Sequence, residues 1–249
     1  MNHAVVEKFF PESRAGGYTR VDGSVEFYQR INSIVSEDSV VLDIGAGRGV
    51  AHVDGPGSYI RRLMSFRGRC KKVIGIDVDD AVLGNPSLDE AHVIEKNAFP
   101  LPDSSVDLAF ADWVLEHIGD VSAFSAEVER VIRPGGWFCA RTPNKWGYIS
   151  IASRLIPEAL HARVLKRAQP NRKTEDVFPT FYRLNTRNDI GNAFTADRWD
   201  VVTYTYDSEP AYFGNNTLLW RLALFMFRLT PPGMGSVVML FARKREAAS

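Results

Sequence analysis

The stretch VLDIGAGRG, residues 41–49, carries the strongest indication of the fold of this 249-residue chain. Its apolar, β-branched first half is typical of a short buried strand. Gly45, Gly47 and Gly49 then allow the backbone to turn sharply and to approach a ligand more closely than a Cβ would permit. The pattern predicts a strand followed by a ligand-binding turn, although a tight turn without a ligand has the same signature.

The spacing of these glycines and two nearby carboxylates narrow the choice of ligand. A dinucleotide site favours GxGxxG, so that a pyrophosphate can sit on the next helix, whereas this chain has GxGxG with Asp43 just before it. A carboxylate there repels phosphate but suits an ammonium group. Asp77 ends a second predicted strand in VIGIDVD, where it can accept hydrogen bonds from both ribose hydroxyls or cap the following helix.

Strand and helix patterns alternate along most of the chain. Predicted strands are SVVLDIG, KKVIGIDVD, AHVIEKN, SVDLAFAD, WFCARTPN, RWDVVTYTY and SVVMLFARK. Amphipathic spacing predicts helices over residues 24–35 with Ser24 as the cap, 56–66, 147–156, 186–196 and 216–229, and a further helix capped by Asp120. Strands that alternate with helices indicate an α/β fold with a parallel sheet covered on both faces.

The chain is interpreted as one domain, 1–249, because α/β units of this length are often single. Residues 1–37 form an N-terminal lid and helix, residues 38–144 a core, and residues 186–249 complete the sheet. Residues 145–185 interrupt the rhythm and are predicted to be an insertion after strand five that lies over one end of the sheet.

Composition limits the function classes. Basic and acidic residues are equal at 30 each, so no global field favours nucleic acid, and no nucleic-acid partner is expected. Cys70 and Cys139 lack metal-ligand spacing, so we expect reduced thiols and no metal site. Reduced thiols, and an N-terminus without the pattern of a secretory leader, predict a cytoplasmic protein.

The apolar helix predicted over residues 216–229 is too short to span a bilayer, and Arg221 and Arg228 interrupt it. Burial against the sheet is the favoured interpretation. Dimerisation, or peripheral contact with a membrane surface, is left open.

Together with FPLPDSSVDLAFADWVLEHI and VIRPGGWFCARTPN, the two carboxylate-bearing strands resemble the class I S-adenosylmethionine methyltransferases, particularly the small-molecule branch of the ubiquinone and menaquinone enzymes. The resemblance covers residues 38–144 well, and TFYRLNT and the final strands more loosely. It implies a Rossmann-like fold with a seven-stranded, mostly parallel sheet, an antiparallel last strand, and S-adenosylmethionine as the cofactor.

The resemblance also implies roles for single residues. Gly45, Ala46 and Gly47 would pass under the methionine part of the cofactor, and Asp43 would hold its amino group. Asp77, with Val78, would bind the ribose. Asn97, where the family commonly has aspartate, and Ala98 would contact the adenine. Asp112 would lie at the methyl-transfer end of the cofactor. Arg20 would face the carboxylate of the cofactor from a lid that includes Tyr18.

A catalytic base is optional in such a reaction, because the cofactor itself makes the methyl group electrophilic. If the acceptor is a hydroxyl, an imidazole with a pKa near neutrality would help to remove its proton. His117 in DWVLEHIGD is the main candidate beside Asp112, and His52 is a second one. His117 also fits a role in stacking under the cofactor or in capping a short helix.

The expected substrate is a small molecule. Basic residues outnumber acidic ones in residues 154–187, which suits an anionic acceptor such as a nucleotide sugar or phosphorylated glycan precursor, or else a solvated basic face. TPNKWGYISIASRLIP and FPTFYRLNT are similar to segments of methyltransferases of surface-glycan and natural-product assembly. Residues that would form a substrate wall there, or only a small local core, are Trp146, Tyr148, Tyr182 and Arg183.

Two other functions remain open on the sequence. A nicotinamide-dependent oxidoreductase begins with a similar fold, but GAGRG and the terminal strand SVVMLFARK argue against it. A protein that binds S-adenosylmethionine without catalysis would keep the same glycine turn. A nucleic-acid methyltransferase is disfavoured by the neutral net charge and the absence of an NPPY-like or cysteine-containing catalytic motif.

Overall fold

A computed structural model of the protein describes residues 3–49, 58–95, 98–148, 150–151 and 179–246. Within these residues, seven strands form a single sheet in the order β3-β2-β1-β4-β5-β7-β6. The strands are β1 Val40–Ile44, β2 Lys72–Asp77, β3 Glu90–Val93, β4 Val106–Asp112, β5 Ile132–Pro143, β6 Trp199–Tyr206 and β7 Val237–Lys244.

The sheet is mixed in the way that the sequence predicts. β1 pairs in parallel with β2 and β4, β2 with β3, and β4 with β5. β7 runs antiparallel to both of its neighbours, β5 and β6. The Rossmann-like architecture with an antiparallel last strand is therefore confirmed, and the carboxyl ends of β1, β2 and β4 meet at one edge of the sheet.

The described helices match predicted ones with one corrected cap, except for the helix over residues 3–9, which was not predicted from the sequence. They are α1 His3–Phe9, α2 Gly23–Ile34, α3 Ser58–Met64, α4 Val121–Val131, α5 Arg187–Ala193 and α6 Thr217–Leu229. Asp120 caps α4 as expected. At α2 the prediction of Ser24 as the cap is wrong, because the Asp22 carboxylate accepts hydrogen bonds from the backbone N–H groups of Ser24 and Val25.

The sheet is covered on both faces because successive side chains of a strand point to opposite sides. On one face, Leu42 and Ile44 of β1 belong to a core with Phe124 and Val128 of α4. On the other face, Val41 packs in a core with residues of α2, among them Phe27, Tyr28 and Ile31.

Helix α6 departs from the favoured prediction of burial against the sheet. Its buried residues are Trp220 and Ala223. Trp220 packs with Val5 and Phe10 of the N-terminal segment in a separate cluster, and its ring stacks on Phe9 at 5.5 Å between centroids. The helix is thus held by the N-terminal segment. In the described part of the chain, no helix is long and apolar enough to cross a membrane.

Most of the predicted insertion, residues 152–178, lies outside the described residues, as do residues 50–57 with His52. Tyr148, Ser150 and Ile151 are helical, as expected for the start of the helix predicted over 147–156. The division into one domain with this insertion stays a prediction. Cys70 and Cys139 are both free thiols.

Candidate active site

The glycine-rich turn leaves the carboxyl end of β1 in a shape that glycine alone accommodates well. Gly45 and Gly49 have φ angles of +75° and +87°, in the left-handed region. A Cβ at Gly45 would lie 2.4 Å from Cγ2 of Val114, and one at Gly49 would lie 2.0 Å from Oδ1 of Asn85. The backbone N–H of Gly45 donates to the carbonyl of Ile76 at 2.8 Å, which ties the turn to β2.

Asp77 joins this turn to the one that follows β2. Its Oδ2 accepts a hydrogen bond from the backbone N–H of Gly47 at 2.9 Å, and its Oδ1 accepts one from Asp79 N–H at 2.9 Å. Asn85 supports the turn from behind, since its amide donates to the carbonyl oxygens of Ala46 and Gly47 at 2.9 and 3.2 Å. The turn is therefore fixed by side chains on both sides.

A cavity of about 250 Å³ opens beside the turn. Asp43 faces it, and the pKa of this carboxyl is raised to about 8, first by desolvation and then by the nearby carboxylates of Asp112 and Asp77. Such a group becomes a full carboxylate when a cation comes to lie against it. The other residues that line the cavity are Tyr28, Gly45, Ala46, Arg48, Gly49, Met64, Phe66, Val73, Ser87, Phe110 and Asp112.

Asp112, at the end of β4, is held in a buried ion pair. Arg141 donates to both of its carboxylate oxygens, with the Nη2–Oδ2 pair at 2.9 Å, and the two side chains are only 7% and 15% exposed. The Tyr28 hydroxyl also donates to Oδ2 at 2.9 Å. Desolvation opposes the charge on Arg141, but the ion pair with Asp112 leaves its pKa above the ordinary value.

Desolvation and the charge of Asp112 together raise the pKa of Tyr28 well above its usual value, so this phenol stays a hydrogen-bond donor. Nη1 of Arg141 reaches Ser24 Oγ on α2 at 3.1 Å. The ion pair therefore connects β4, β5 and α2 at the edge of the sheet that bears Asp43 and Asp77.

Comparison with protein families finds the methyltransferase domain over residues 42–140. The matched residues include most of β1 and all of β2, β3 and β4, and they make up less than half of the chain. A probable S-adenosylmethionine-dependent methyltransferase of Mycolicibacterium smegmatis is 40% identical over 80 residues, which cover 30% of this chain and 31% of that relative. The chain thus spans about a third of that relative's length.

Two further comparisons agree with the methyltransferase domain. A malonyl-[acyl-carrier protein] O-methyltransferase of Coxiella burnetii is 31% identical over 108 residues, covering 43% of this chain and 35% of the relative. The crystal structure of a SAM-dependent methyltransferase from Methanosarcina mazei superposes with a TM-score of 0.54 at 18% identity, covering 88% of this chain and 98% of that one. At that identity the likeness shows the fold.

The sheet brings most of the predicted cofactor residues to one of its edges. Asp43, Gly45, Ala46 and Asp112 line the cavity, and Gly47 is hydrogen-bonded to Asp77 beside it. Val78 is 61% exposed in the turn after β2. Ala98 is exposed, and its backbone N–H donates to the carbonyl of Glu95. Asn97 lies outside the described residues. Their roles toward a cofactor stay predictions.

Arg20 and Tyr18 belong to the predicted lid. The guanidinium of Arg20 pairs with Glu12 at 3.1 Å and lies 5.1 Å above the ring of Phe10, so it is engaged within the N-terminal segment rather than at the cavity. The ring of Tyr18 stacks on Tyr59 of α3 at 5.0 Å between centroids, which places this part of the segment against the helix that follows the glycine turn.

His117, the main candidate base, lies in a 3₁₀ turn just beyond β4. Its Nδ1 donates to the backbone carbonyl of Pro179 at 2.8 Å, so in the neutral ring the proton is on Nδ1 and Nε2 is unprotonated. Its neighbour Glu116 is buried, accepts a hydrogen bond from Thr142 Oγ1 at 3.0 Å, and has a pKa raised chiefly by desolvation.

Of the residues predicted to form a substrate wall, Tyr148 packs in an aromatic group with Phe213 and Phe227. Trp146 is exposed, and Arg183 donates to the carbonyl of Gly119. The backbone N–H of Lys145 donates to the carbonyl of Asn185, which joins the two segments that contain these residues, and the role of these residues toward a substrate stays a prediction. Tyr182 has a φ of +53°.

Three residues that the site depends on were not predicted from the sequence: Tyr28, Asn85 and Arg141. Arg141 had a signal, because a charge inside the apolar run WFCARTP must be buried on a strand and needs a partner. Tyr28 and Asn85 gave none, since each is an ordinary residue of its own element and meets the site only through the tertiary fold.

Proposed function

We propose that the protein transfers a methyl group from S-adenosylmethionine to a small-molecule acceptor. The observation that carries the proposal is the placement of Asp43, which lines the cavity, and Asp77, which binds Gly47 beside it, on either side of the glycine turn. A pyrophosphate at this turn would disfavour the carboxylate form of Asp43 further, whereas an ammonium would stabilise it. A ligand with an ammonium and a ribose diol finds acceptors for both groups instead.

The residues present fit such a cofactor. Bound there, it would supply a methyl group made electrophilic by a sulfonium. Asp43 would ionise and accept from the ammonium, and Asp77 would accept from the ribose with the lone pairs that Gly47 and Asp79 leave free. Asp112, fixed by its ion pair with Arg141, places a hydrogen-bond acceptor at the carboxyl end of β4.

These side chains mainly align and exclude water, which is the larger part of what such a transfer needs. The carboxylate of Asp112 accepts hydrogen bonds from Arg141 and Tyr28, so it fits the role of an electrostatic and positioning group better than that of a catalytic base. His117 remains our proposed base for a hydroxyl acceptor, because its Nδ1 donates to Pro179 and its Nε2 is therefore unprotonated in the neutral ring.

We further propose an anionic acceptor, such as a nucleotide sugar or a phosphorylated glycan precursor. The support is the excess of basic residues over 154–187, of which 179–187 fall within the described part of the chain. In this part, Arg187 donates a hydrogen bond to the hydroxyl Oγ1 of Thr203 at 3.3 Å. Because a hydroxyl is neutral, this hydrogen bond does not neutralise the charge of Arg187. The Coxiella burnetii relative is itself named for a malonyl substrate.

Isothermal calorimetry with S-adenosylmethionine, S-adenosylhomocysteine and NAD tests the cofactor. We expect heat with the first two, and a loss of about 10- to 100-fold in affinity for Asp77→Asn, which gives up charge-assisted hydrogen bonds. Asp80→Asn, an exposed carboxyl in the same turn, is the matched control and should bind normally. Uptake of NAD alone would overturn the proposal.

Catalysis is tested separately. The wild-type protein is incubated with methyl-labelled S-adenosylmethionine and a panel of anionic and neutral small acceptors, and methylated products are identified by mass spectrometry. Product from anionic members supports both proposals. Tight cofactor binding without any product would favour the non-catalytic binding protein, and product from neutral members alone would refute the anionic acceptor.

A further inference from the structure

Helix α6 presents an apolar face to the outside of the protein. Drawn at about 100° per residue, Phe225, Leu218, Leu229, Leu222, Met226 and Leu219 fall within roughly one third of its circumference. All six are exposed, Leu218 to 72% and Leu229 to 66%. Single exposed apolar residues are ordinary, but a contiguous group of this kind marks an interaction surface.

The opposite side of α6 anchors the helix. Trp220 and Ala223 are buried, and the Trp220 indole N–H donates to the carbonyl of Gly214 at 2.8 Å. Because the helix is seated on the N-terminal cluster of Val5 and Phe10, its apolar face is held outward. Turning this face inward would require Trp220 to leave its pocket.

Charge at the border of the face selects the kind of partner. Arg221 and Arg228 are exposed along one side of it, and the helix contains no acidic residue. Neither arginine forms an ion pair with another residue in the described part of the chain. An apolar face bordered by arginines matches the boundary between acyl chains and anionic headgroups of a lipid surface.

A second copy of the chain fits the same face less well. In an antiparallel two-fold pairing of α6 with itself, the arginine borders of both helices fall on the same side of the seam. Like charges would then meet along that side, with no acidic residue in the helix to neutralise them.

The helix also lies near the edge of the sheet that carries the candidate active site. The ring of Phe227 lies 5.2 Å from that of Tyr148, which follows the carboxyl end of β5. We propose that the apolar face of α6 rests on an anionic lipid surface, so that this edge of the sheet lies close to the headgroups.

Sedimentation with vesicles tests this proposal without cofactor or acceptor, so its outcome is independent of the proposed methyl transfer. The full chain should pellet with vesicles of phosphatidylglycerol and phosphatidylcholine, and more weakly with phosphatidylcholine alone. Leu222→Gln/Phe225→Gln should bind roughly tenfold more weakly, since two apolar side chains lose their contact with lipid. Arg221→Gln/Arg228→Gln should lose roughly tenfold at low salt and little at high salt.

The matched control is Val202→Gln/Leu83→Gln, which removes two similarly exposed apolar side chains, 57% and 64%, from other parts of the surface. It should pellet like the wild type. Wild-type protein that stays in solution with anionic vesicles would overturn the proposal, as would Leu222→Gln/Phe225→Gln pelleting unchanged. A dimer in light scattering that this variant dissociates, without vesicle binding by the wild type, would assign the face to a second copy instead.

Discussion

If Asp43 holds the ammonium of the cofactor as proposed, its raised pKa should make the affinity for the cofactor depend on pH. With a pKa of about 8, roughly one molecule in a hundred carries the carboxylate at pH 6 and roughly one in eleven at pH 7. If the ammonium of the ligand holds the carboxylate ionised when bound, affinity should rise about ninefold between these values, or about 1.3 kcal/mol. The ligand's own amino group, with a pKa of about 8, stays protonated over this range.

Calorimetry of S-adenosylhomocysteine binding at pH 6.0, 6.5 and 7.0 measures this slope. Repeating the pH 7.0 titration in buffers of different ionisation heat should show about 0.8 protons released for each ligand bound, about 0.9 from Asp43 less about 0.1 taken up by the amino group of the ligand. Asp43→Asn cannot titrate, so we expect weak affinity with no slope and no proton release. A wild-type affinity that is flat over this range, or that matches the slope of Asp43→Asn, would refute the assignment of Asp43 to the ammonium.

Three further predictions concern stability, measured by thermal and urea unfolding. The folded-state pKa of Asp43, about 8, lies above the unfolded value of 3.8, so its burial costs stability progressively as the pH rises from about 4 to 8. Asp43→Asn should therefore be about 5 kcal/mol more stable than wild type at pH 8 and equally stable at pH 4. Arg141→Met leaves the carboxylate of Asp112 buried without its ion pair and should lower the free energy of unfolding by about 3 to 5 kcal/mol. The double variant Arg141→Met/Asp112→Asn should recover much of this loss, and equal instability of the two variants would contradict the prediction. Gly49→Ala should cost more than Gly68→Ala, since both have positive φ but only the first meets another side chain, and similar losses would show that sterics add nothing.

The strands, and the edge of the sheet that carries the candidate active site, could be predicted from the sequence because their signals are local. A short β-branched run between turn residues predicts a strand wherever it occurs, and Asp43 and Asp77 stand at the ends of such runs. Parallel strands bring their carboxyl ends together, so a common site follows from topology alone.

Contacts across the fold could not be predicted in the same way. Helix α6 is apolar on nearly every side, so its sequence does not say which side faces the protein, and the expectation that it packs on the sheet is wrong because Trp220 fits the N-terminal cluster. The bond from Tyr28 to Asp112 joins residues 84 positions apart. The error at the start of α2 was different in kind, because Asp22 and Ser24 are both good caps and the local pattern allows either.

The carboxylate of Asp77 has a limited number of acceptor positions, about four lone pairs in all. The backbone N–H groups of Gly47 and Asp79 already occupy two of them. Two vacancies remain, which is the number of donors that an intact sugar diol brings. A 2′-deoxy nucleoside would fill one and leave the other unmatched, so the hydrogen bonds that hold the empty turn in shape would also serve to tell a ribonucleoside from its deoxy counterpart.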